Sequence, residues 1–345
     1  MSVKTRNLLI ALIVPAAVAV AGCGGASDVK GEAAASGGSG EKGTLSLVAY
    51  STPQVVYDEL IPAFGKTPEG ADVGFKTSFG ASGDQARAVE AGQEADVVTF
   101  STEPDMTRLV DAGIVDPDWK QGSNEGLVTT SVVSFVVHEG NPKNIKTWDD
   151  LLEPGVEVLT PNPFSSGAAK WNLLAGYGWA SEGGKNPEAG LDYVRKLITE
   201  HVKVQDKSGR EALQNFIGGN GDVLLSYEYE AITANKNGEK LEYVIPDDTI
   251  KINIDIATTK DAPAEAKSFL DYVLSEDGQQ KFAEWGYRPV NEEVLAANED
   301  RFPNPPGLFT IEDLGGWDKV NDELFDIEGG SIAKIEEDAG VSTAK

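Results

Sequence analysis

Short runs of β-type pattern alternate with helical patterns along most of the chain, and this alternation restricts the fold more than any other feature. The runs are Leu45–Tyr50, Phe75–Ser78, Asp96–Phe100, Val132–Val137, Val156–Leu159, Val202–Gln205, Asp222–Tyr227 and Lys251–Ala257. Between them apolar residues recur at helical spacing, as in Ala168, Trp171, Leu174 and Ala175, in Ala212, Leu213, Phe216 and Ile217, and in Ala266, Phe269, Leu270, Val273 and Leu274. Strand alternating with helix predicts an α/β fold with mainly parallel sheets.

Ligands of such sheets sit beyond the carboxyl ends of the strands, so the turns after the strands carry the functional signal. Three of these turns share one chemistry: Phe79-Gly80-Ala81-Ser82-Gly83, Ser165-Ser166-Gly167-Ala168 and Lys207-Ser208-Gly209-Arg210 each precede a helical pattern. Serine caps a helix start, and glycine lets a ligand approach the backbone closely. Ser82 with Gln85, and Ser208 with Glu211, also have the spacing of capping boxes. Any one of these turns reads as an ordinary N-cap. Three at the same end of a sheet bring together helix N-termini whose N–H groups and dipoles make an anion site without a positive side chain.

The N-terminus sets the location. Lys4 and Arg6 precede an apolar stretch from Leu8 to about Val20, the layout of a secretory signal over residues 1–22 and too short for a stable membrane span. Val20-Ala21-Gly22-Cys23 follows and resembles the lipobox of bacterial lipoproteins, which implies that Cys23 is acylated after cleavage and anchors the chain to a membrane. Cys23 is the one cysteine of the chain, so no disulfide supports the fold. Residues 23–43 read as the lipidated cysteine and a flexible Gly/Ser/Ala-rich tether, with a reach on the order of 25 Å.

Charge narrows the partners. A net charge of −27 argues against nucleic acid and against a basic membrane-binding patch. No metal-ligand spacing and no phosphate-binding P-loop is present, so neither a metal nor a cofactor is expected. A serine hydrolase is the alternative of a different class, but Gly80-Ala81-Ser82-Gly83 lacks the nucleophile-elbow pattern and Ser166 stands four residues from Lys170 rather than three. The two histidines, His138 and His201, read as locally bonded residues rather than catalytic bases. Trp171, Tyr177 and Trp179 lie at helical spacing and read as core packing rather than as a sugar-stacking face.

The stretches GASGDQARAVEAGQEADVVTF, SVVSFVVHEGNPKNIKTWDDLLEPGVEVLTPNPFSSGAAKWNLLAGYGWA, GDVLLSYEYEA and LFTIEDLGGW resemble the sulfate/thiosulfate-binding proteins of bacterial ABC importers. The block from Thr160 to Asn172 is the most specific of them. The resemblance implies an α/β, type II periplasmic-binding-protein fold, with two mixed-sheet lobes joined by crossover strands. Residues 44–130 plus 251–345 are expected in the first lobe and 131–250 in the second, with crossings near Thr130 and around Lys251–Ala257. It implies no enzyme activity, a monomer, an oxyanion held in the cleft, and membrane permease subunits as partners that read the closed shape.

Carried over position by position, the family's donors fall on the hydroxyls of Ser82 and Ser166 and on the backbone N–H groups of Gly167, Ala168 and Gly209. Two further positions depart from the family. Ser51 stands where an aspartate is usual, and Tyr227 where an indole N–H donates. A phenol both donates and accepts whereas an indole only donates, and molybdate-binding proteins use a tyrosine in a comparable position, so molybdate or tungstate is the alternative ligand. Phosphate keeps a proton that a donor-only site leaves unpaired. Asp84, Asp206, Glu228 and Glu230, near the donors in sequence, are expected to cap or pair at the surface, with Arg210 as a partner.

Overall fold

The computed structural model describes residues 42–343, so the expected signal peptide, Cys23 and all but the end of the expected tether lie outside the described residues. From Thr44 the chain alternates as anticipated through β1 (Thr44–Tyr50), α1 (Gln54–Phe64), β2 (Gly74–Gly80), α2 (Ser82–Glu90), β3 (Val97–Phe100) and α3 (Glu103–Asp111). A long strand, β4 (Leu127–His138), leads to β5 (Val158–Leu159), α4 (Gly167–Ala180), α5 (Pro187–Lys196), α6 (Gly209–Ile217), β6 (Val223–Tyr227), α7 (Glu228–Lys236) and β7 (Leu241–Val244). The chain returns through β8 (Asp248–Thr258) to α8 (Ala264–Leu274), α9 (Glu276–Glu284), β9 (Arg288–Pro289), α10 (Glu292–Ala297), β10 (Gly307–Phe309), α11 (Gly316–Val320) and α12 (Ser331–Asp338). Val202–Gln205 does not become a strand and contributes only an isolated bridge from Val202 to Val158.

The strands form one curled sheet in the order β2-β1-β3-β8-β4-β6-β5. Thr129–Val132 of β4 pairs with β8, and Val133–Val137 of the same strand pairs with β6. β8 likewise lies against β3 at Asp255–Thr258, against β4 at Lys251–Ile254 and against β10 at Asp248–Ile250. These two strands therefore cross between two lobes, each with its own half-sheet. Parallel pairing is found in β1 with β2 and β3, in β5 with β6, and in the short β10 with β8. β3–β8, β4–β8, β4–β6 and β4–β7 are antiparallel, because a strand that leaves a lobe and one that returns run in opposite directions.

The crossover strands are apolar for a physical reason. Ile250, Ile252, Ile254 and Ile256 alternate along β8 and are all buried, each worth about 1.5–3 kcal/mol of burial. Val132 to Val137 of β4 is buried at every position because helices cover both faces of the sheet there. One apolar cluster runs through both lobes, from Phe64, Phe75 and Phe269 to Trp148, Trp171 and Tyr193. Separate clusters back each half-sheet: Val48, Val98, Phe100 and Met106 in the first, and Val136, Phe216, Leu224 and Leu241 in the second.

The stretch 251–345, expected in the first lobe, divides. α8 and α9 pack on α1 there. From Gly307 onward the chain contacts the second lobe instead: Phe309 lies against Gly178 of α4, the Trp317 ring meets Trp171 edge-on at 4.8 Å, and α12 packs on α5. Trp317 is buried in this contact and Phe309 partly so.

Candidate functional site

The first lobe brings the ends of β1, β2 and β3 to one rim. Ser51 and Thr52 follow β1, Ser82 opens α2, and Ser101 and Thr102 lead into α3; Ser51, Ser82, Ser101 and Thr102 are all buried. Ser82 Oγ donates to Asp105 Oδ2 at 2.6 Å and accepts the Ser101 N–H at 3.1 Å. Thr102 Oγ1 donates to the same carboxylate oxygen at 3.0 Å. The Ser82 hydroxyl, expected as a ligand donor, is thus engaged within its own lobe. Its capping box does not form either: the N-cap of α2 falls on Ala81, and Gln85 Oε1 accepts from Ser78 Oγ at 3.1 Å instead.

The second lobe presents two helix starts and a phenol. α4 begins at Gly167 with Ser166 at its N-cap, and no side chain caps it, so its first N–H groups have no partner within the helix. α6 begins at Gly209, and here the expected cap forms: Ser208 Oγ accepts the Glu211 N–H at 3.2 Å, while Glu211 Oε2 accepts the Lys207 N–H at 3.2 Å. Ala168 and Gly209 are neighbours, a Cβ built on the glycine lying 3.8 Å from that of Ala168. Tyr227 ends β6, is 1% exposed, and its hydroxyl has no hydrogen-bond partner among the described residues.

The two rims meet. Gly83 N–H donates to Ser165 O at 3.1 Å, Trp171 Nε1 donates to Ser101 O at 2.5 Å, and Lys207 pairs with Asp84 at 2.6 Å. The Arg210 guanidinium donates to Ser51 O, and the Thr52 and Tyr229 hydroxyls lie 2.7 Å apart. Gly167 sits against Ser101 and Thr102, and Ser101 also lies beside the Tyr227 phenol. Ser51, Ser82, Ser166, Gly167, Ala168, Gly209 and Tyr227 are therefore all buried at one seam between the lobes.

Burial sets the protonation there. It pushes the Tyr227 hydroxyl well above its ordinary value, with the Tyr50 phenol adding to the effect, so the group stays a neutral donor. Burial also raises Glu230 to about 7, against the pull of Arg210. Glu336 rises to about 7 for the same reason, with its Gln205 hydrogen bond opposing. Both folded values exceed the unfolded value of 4.5, so the folded state binds more protons between them. Stability is then expected to be greatest below about pH 4.5 as far as these two groups are concerned, and to fall as pH rises through about 7, by an amount on the order of 3 kcal/mol per group. Urea unfolding of wild type and a Glu230→Gln/Glu336→Gln double variant between pH 5 and pH 8 tests this; equal slopes in both would contradict it.

Two of the four acidic residues, Glu228 and Glu230, differ from their surface expectation, whereas Asp84 and Asp206 do not. Glu228 and Glu230 are buried, Glu228 in an ion pair with Arg288 rather than Arg210. Asp84 pairs with Arg87 and Lys207, and Asp206 accepts from Asn215 Nδ2 at 3.2 Å. His138 stacks on Phe216 at 4.1 Å and His201 Nδ1 lies 3.0 Å from Val156 O, so neither reaches a seam serine.

Ser101, Thr52 and the indole of Trp171 were not singled out by sequence. Ser101-Thr102 after β3 has the same strand-turn-helix placement as the other turns, which is the signal that finds it. Trp171 is buried as its helical spacing predicts, yet its N–H also bridges the lobes.

A profile described as bacterial extracellular solute-binding protein matches residues 45–288. The chain is 38% identical over 342 residues to the sulfate-binding protein of Synechococcus elongatus, covering 95% of each chain. It is 34% identical over 305 residues to the thiosulfate-binding protein of Pseudomonas aeruginosa, covering 84% of this chain and 91% of that one. Among solved structures, the sulfate-binding protein SubI from Mycobacterium tuberculosis is 48% identical with a TM-score of 0.80, covering 82% of this chain and 99% of that one.

Proposed function

Because the chain belongs to the bacterial extracellular solute-binding proteins, we propose that it captures sulfate or thiosulfate at the seam between its lobes and delivers it to the membrane permease of an ABC importer. The observation that carries this reading is the fully buried Tyr227 hydroxyl beside Ser101, which also lies against the start of α4, whose first N–H groups have no partner within the helix. In this reading Tyr227, Ser166 Oγ and the N–H groups of Gly167, Ala168 and Gly209 donate to the anion. Ser82 contributes its backbone N–H, the first of α2, because its hydroxyl is held by Asp105. Ser51 completes the set from β1.

A fully ionised oxyanion accepts every one of these bonds. Hydrogen bonds to a charged group are worth about 1.5–3 kcal/mol each, enough for micromolar capture after association costs. Asp105 Oδ2 accepts the Ser82 and Thr102 hydroxyls, so that oxygen is engaged within the protein rather than offered to the proton of phosphate. The role in this reading is binding, as in the solute-binding relatives. Export, acylation of Cys23 and a monomeric state complete the proposal.

Thermal unfolding in about 1 mM of each anion tests it: sulfate or thiosulfate at a thousandfold excess over a micromolar dissociation constant adds about 4 kcal/mol of stability. Molybdate and tungstate serve as rivals. Ser166→Ala is expected to reduce the sulfate shift, removing about 1.5–3 kcal/mol of binding. A larger shift with phosphate than with sulfate would overturn the reading.

A further inference from the structure

Two loops of the second lobe supply most of the proposed donors, and they are joined to each other before they meet anything else. Asn162 N–H donates to Asp206 O at 2.8 Å, and Ser165 Oγ donates to Lys207 O at 2.7 Å. Asn162 also organises its own loop: its side-chain oxygen accepts the Phe164 N–H at 2.7 Å and its carbonyl accepts the Ser166 N–H at 2.9 Å. The stretches 162–168 and 205–209 are therefore tied directly to each other.

The end of the chain holds that body at two places. Asn162 Nδ2 donates to the Ser342 carbonyl at 2.9 Å. Gln205 Nε2 donates to both oxygens of Glu336, at 3.0 and 2.9 Å, and Glu336 is completely buried. Glu336 lies on α12, whose Ile332, Ala333 and Ile335 are buried and which packs on α5 and on the turn Leu197–His201. A carboxylate removed from water in this way is costly, and the two bonds from Gln205 Nε2 offset part of that cost. The two contacts are six residues apart on the C-terminal segment, and one falls on each anion loop.

We propose that the C-terminal segment from Ser331 to Thr343 is a clasp that sets the register of the two anion-binding loops, with Glu336 and the Ser342 carbonyl as its points of contact. The proposal rests on the oxyanion reading of those loops. Neither residue touches the ligand; both act by holding Asn162 and Gln205, which fix where the N–H groups of Gly167, Ala168 and Gly209 stand. Affinity for a small anion depends on donors that are already in place, because each bond must form without further ordering.

The test compares wild type, Glu336→Leu, Glu336→Gln, and a chain ending at Ala339, each titrated with sulfate. Glutamine keeps an oxygen that accepts from Gln205, so its dissociation constant is expected within about twofold of wild type. Glu336→Leu is expected to weaken sulfate about tenfold, and loss of the Ser342 carbonyl about fivefold, each equivalent to breaking one modest hydrogen bond. Amide hydrogen exchange without sulfate provides the second readout: faster exchange at Gly167, Ala168 and Gly209, with the other amides exchanging as in wild type, marks a positioning role. Unchanged loop exchange together with wild-type affinity in Glu336→Leu and in the shortened chain would overturn the clasp. Should wild type itself not bind sulfate, the oxyanion reading fails, and the exchange comparison still decides whether the segment orders the loops.

Discussion

Gly167→Val is expected to raise the sulfate dissociation constant about 100-fold or more, equivalent to about 2.7 kcal/mol, while leaving the ligand-free thermal midpoint within about 2 °C of wild type. Gly167 is the first residue of α4 and has no left-handed backbone, so a side chain there adds no conformational strain. A Cβ at this position meets Ser101 Oγ at 2.2 Å and Thr102 Cγ2 at 2.8 Å. Both atoms belong to the other lobe. The clash therefore opposes the approach of the two lobes and is relieved when they part, which separates closure from folding. Calorimetric titration and thermal unfolding of the same variant check both halves; affinity within fivefold of wild type would contradict the placement of Gly167 at the seam.

Arg288→Met is expected to destabilise the fold by about 3–5 kcal/mol, because it strands a buried carboxylate. Glu228 is 1% exposed and its Oε2 accepts from Arg288 Nη2 at 3.0 Å, while Oε1 accepts from Nε. The guanidinium also donates to Pro303 O at 2.9 Å, tying α7 to the segment beyond α10. Burial pushes the Glu228 carboxyl up and Arg288 opposes that shift. Without the arginine the carboxyl rises further, so the variant's deficit is expected to shrink as pH falls and more of Glu228 is protonated. Urea unfolding at pH 5 and pH 8 measures it; a loss below about 1 kcal/mol at pH 8 would show that the pair is dispensable. Tyr227 precedes Glu228, so the same substitution also loosens the phenol at the seam.

The parts of the site that sequence revealed are those set by neighbours along the chain. The helix starts at Gly167 and Gly209 were legible because a helix start is a local event; the Ser208 hydroxyl caps α6, whereas Ser166 stands at the N-cap of α4 without a side-chain cap. The burial of Trp171 followed from helical spacing. Its bond to Ser101 did not, since the partners lie 70 residues apart and meet only when the lobes do. The same holds for Glu228 with Arg288 and for Thr52 with Tyr229, where nothing in either local pattern names the other residue. Ser82 shows the opposite failure: its spacing to Gln85 fits a capping box, but the Asp105 carboxylate competes for its hydroxyl and α2 takes Ala81 as its N-cap.

The packing of the chain end was hidden for a related reason. After β8 the pattern is helical in both lobes, and only the docking of Phe309 on Gly178 and Trp317 on Trp171 places residues beyond Gly307 on the second lobe. The antiparallel centre of the sheet was likewise hidden, because β4 and β8 are long apolar strands whose direction no local signal reports.

The central claim is that the seam traps one ionised oxyanion with donors supplied by Tyr227, Ser166 and the N-termini of the adjoining helices. Isothermal calorimetry of the signal-less protein with sulfate at pH 7.5, beside phosphate as control, tests it most directly. The account predicts one sulfate per chain with a dissociation constant of about 1 μM or tighter and at least about 100-fold weaker phosphate binding. Absence of heat with sulfate, or phosphate binding as tightly as sulfate, would contradict it.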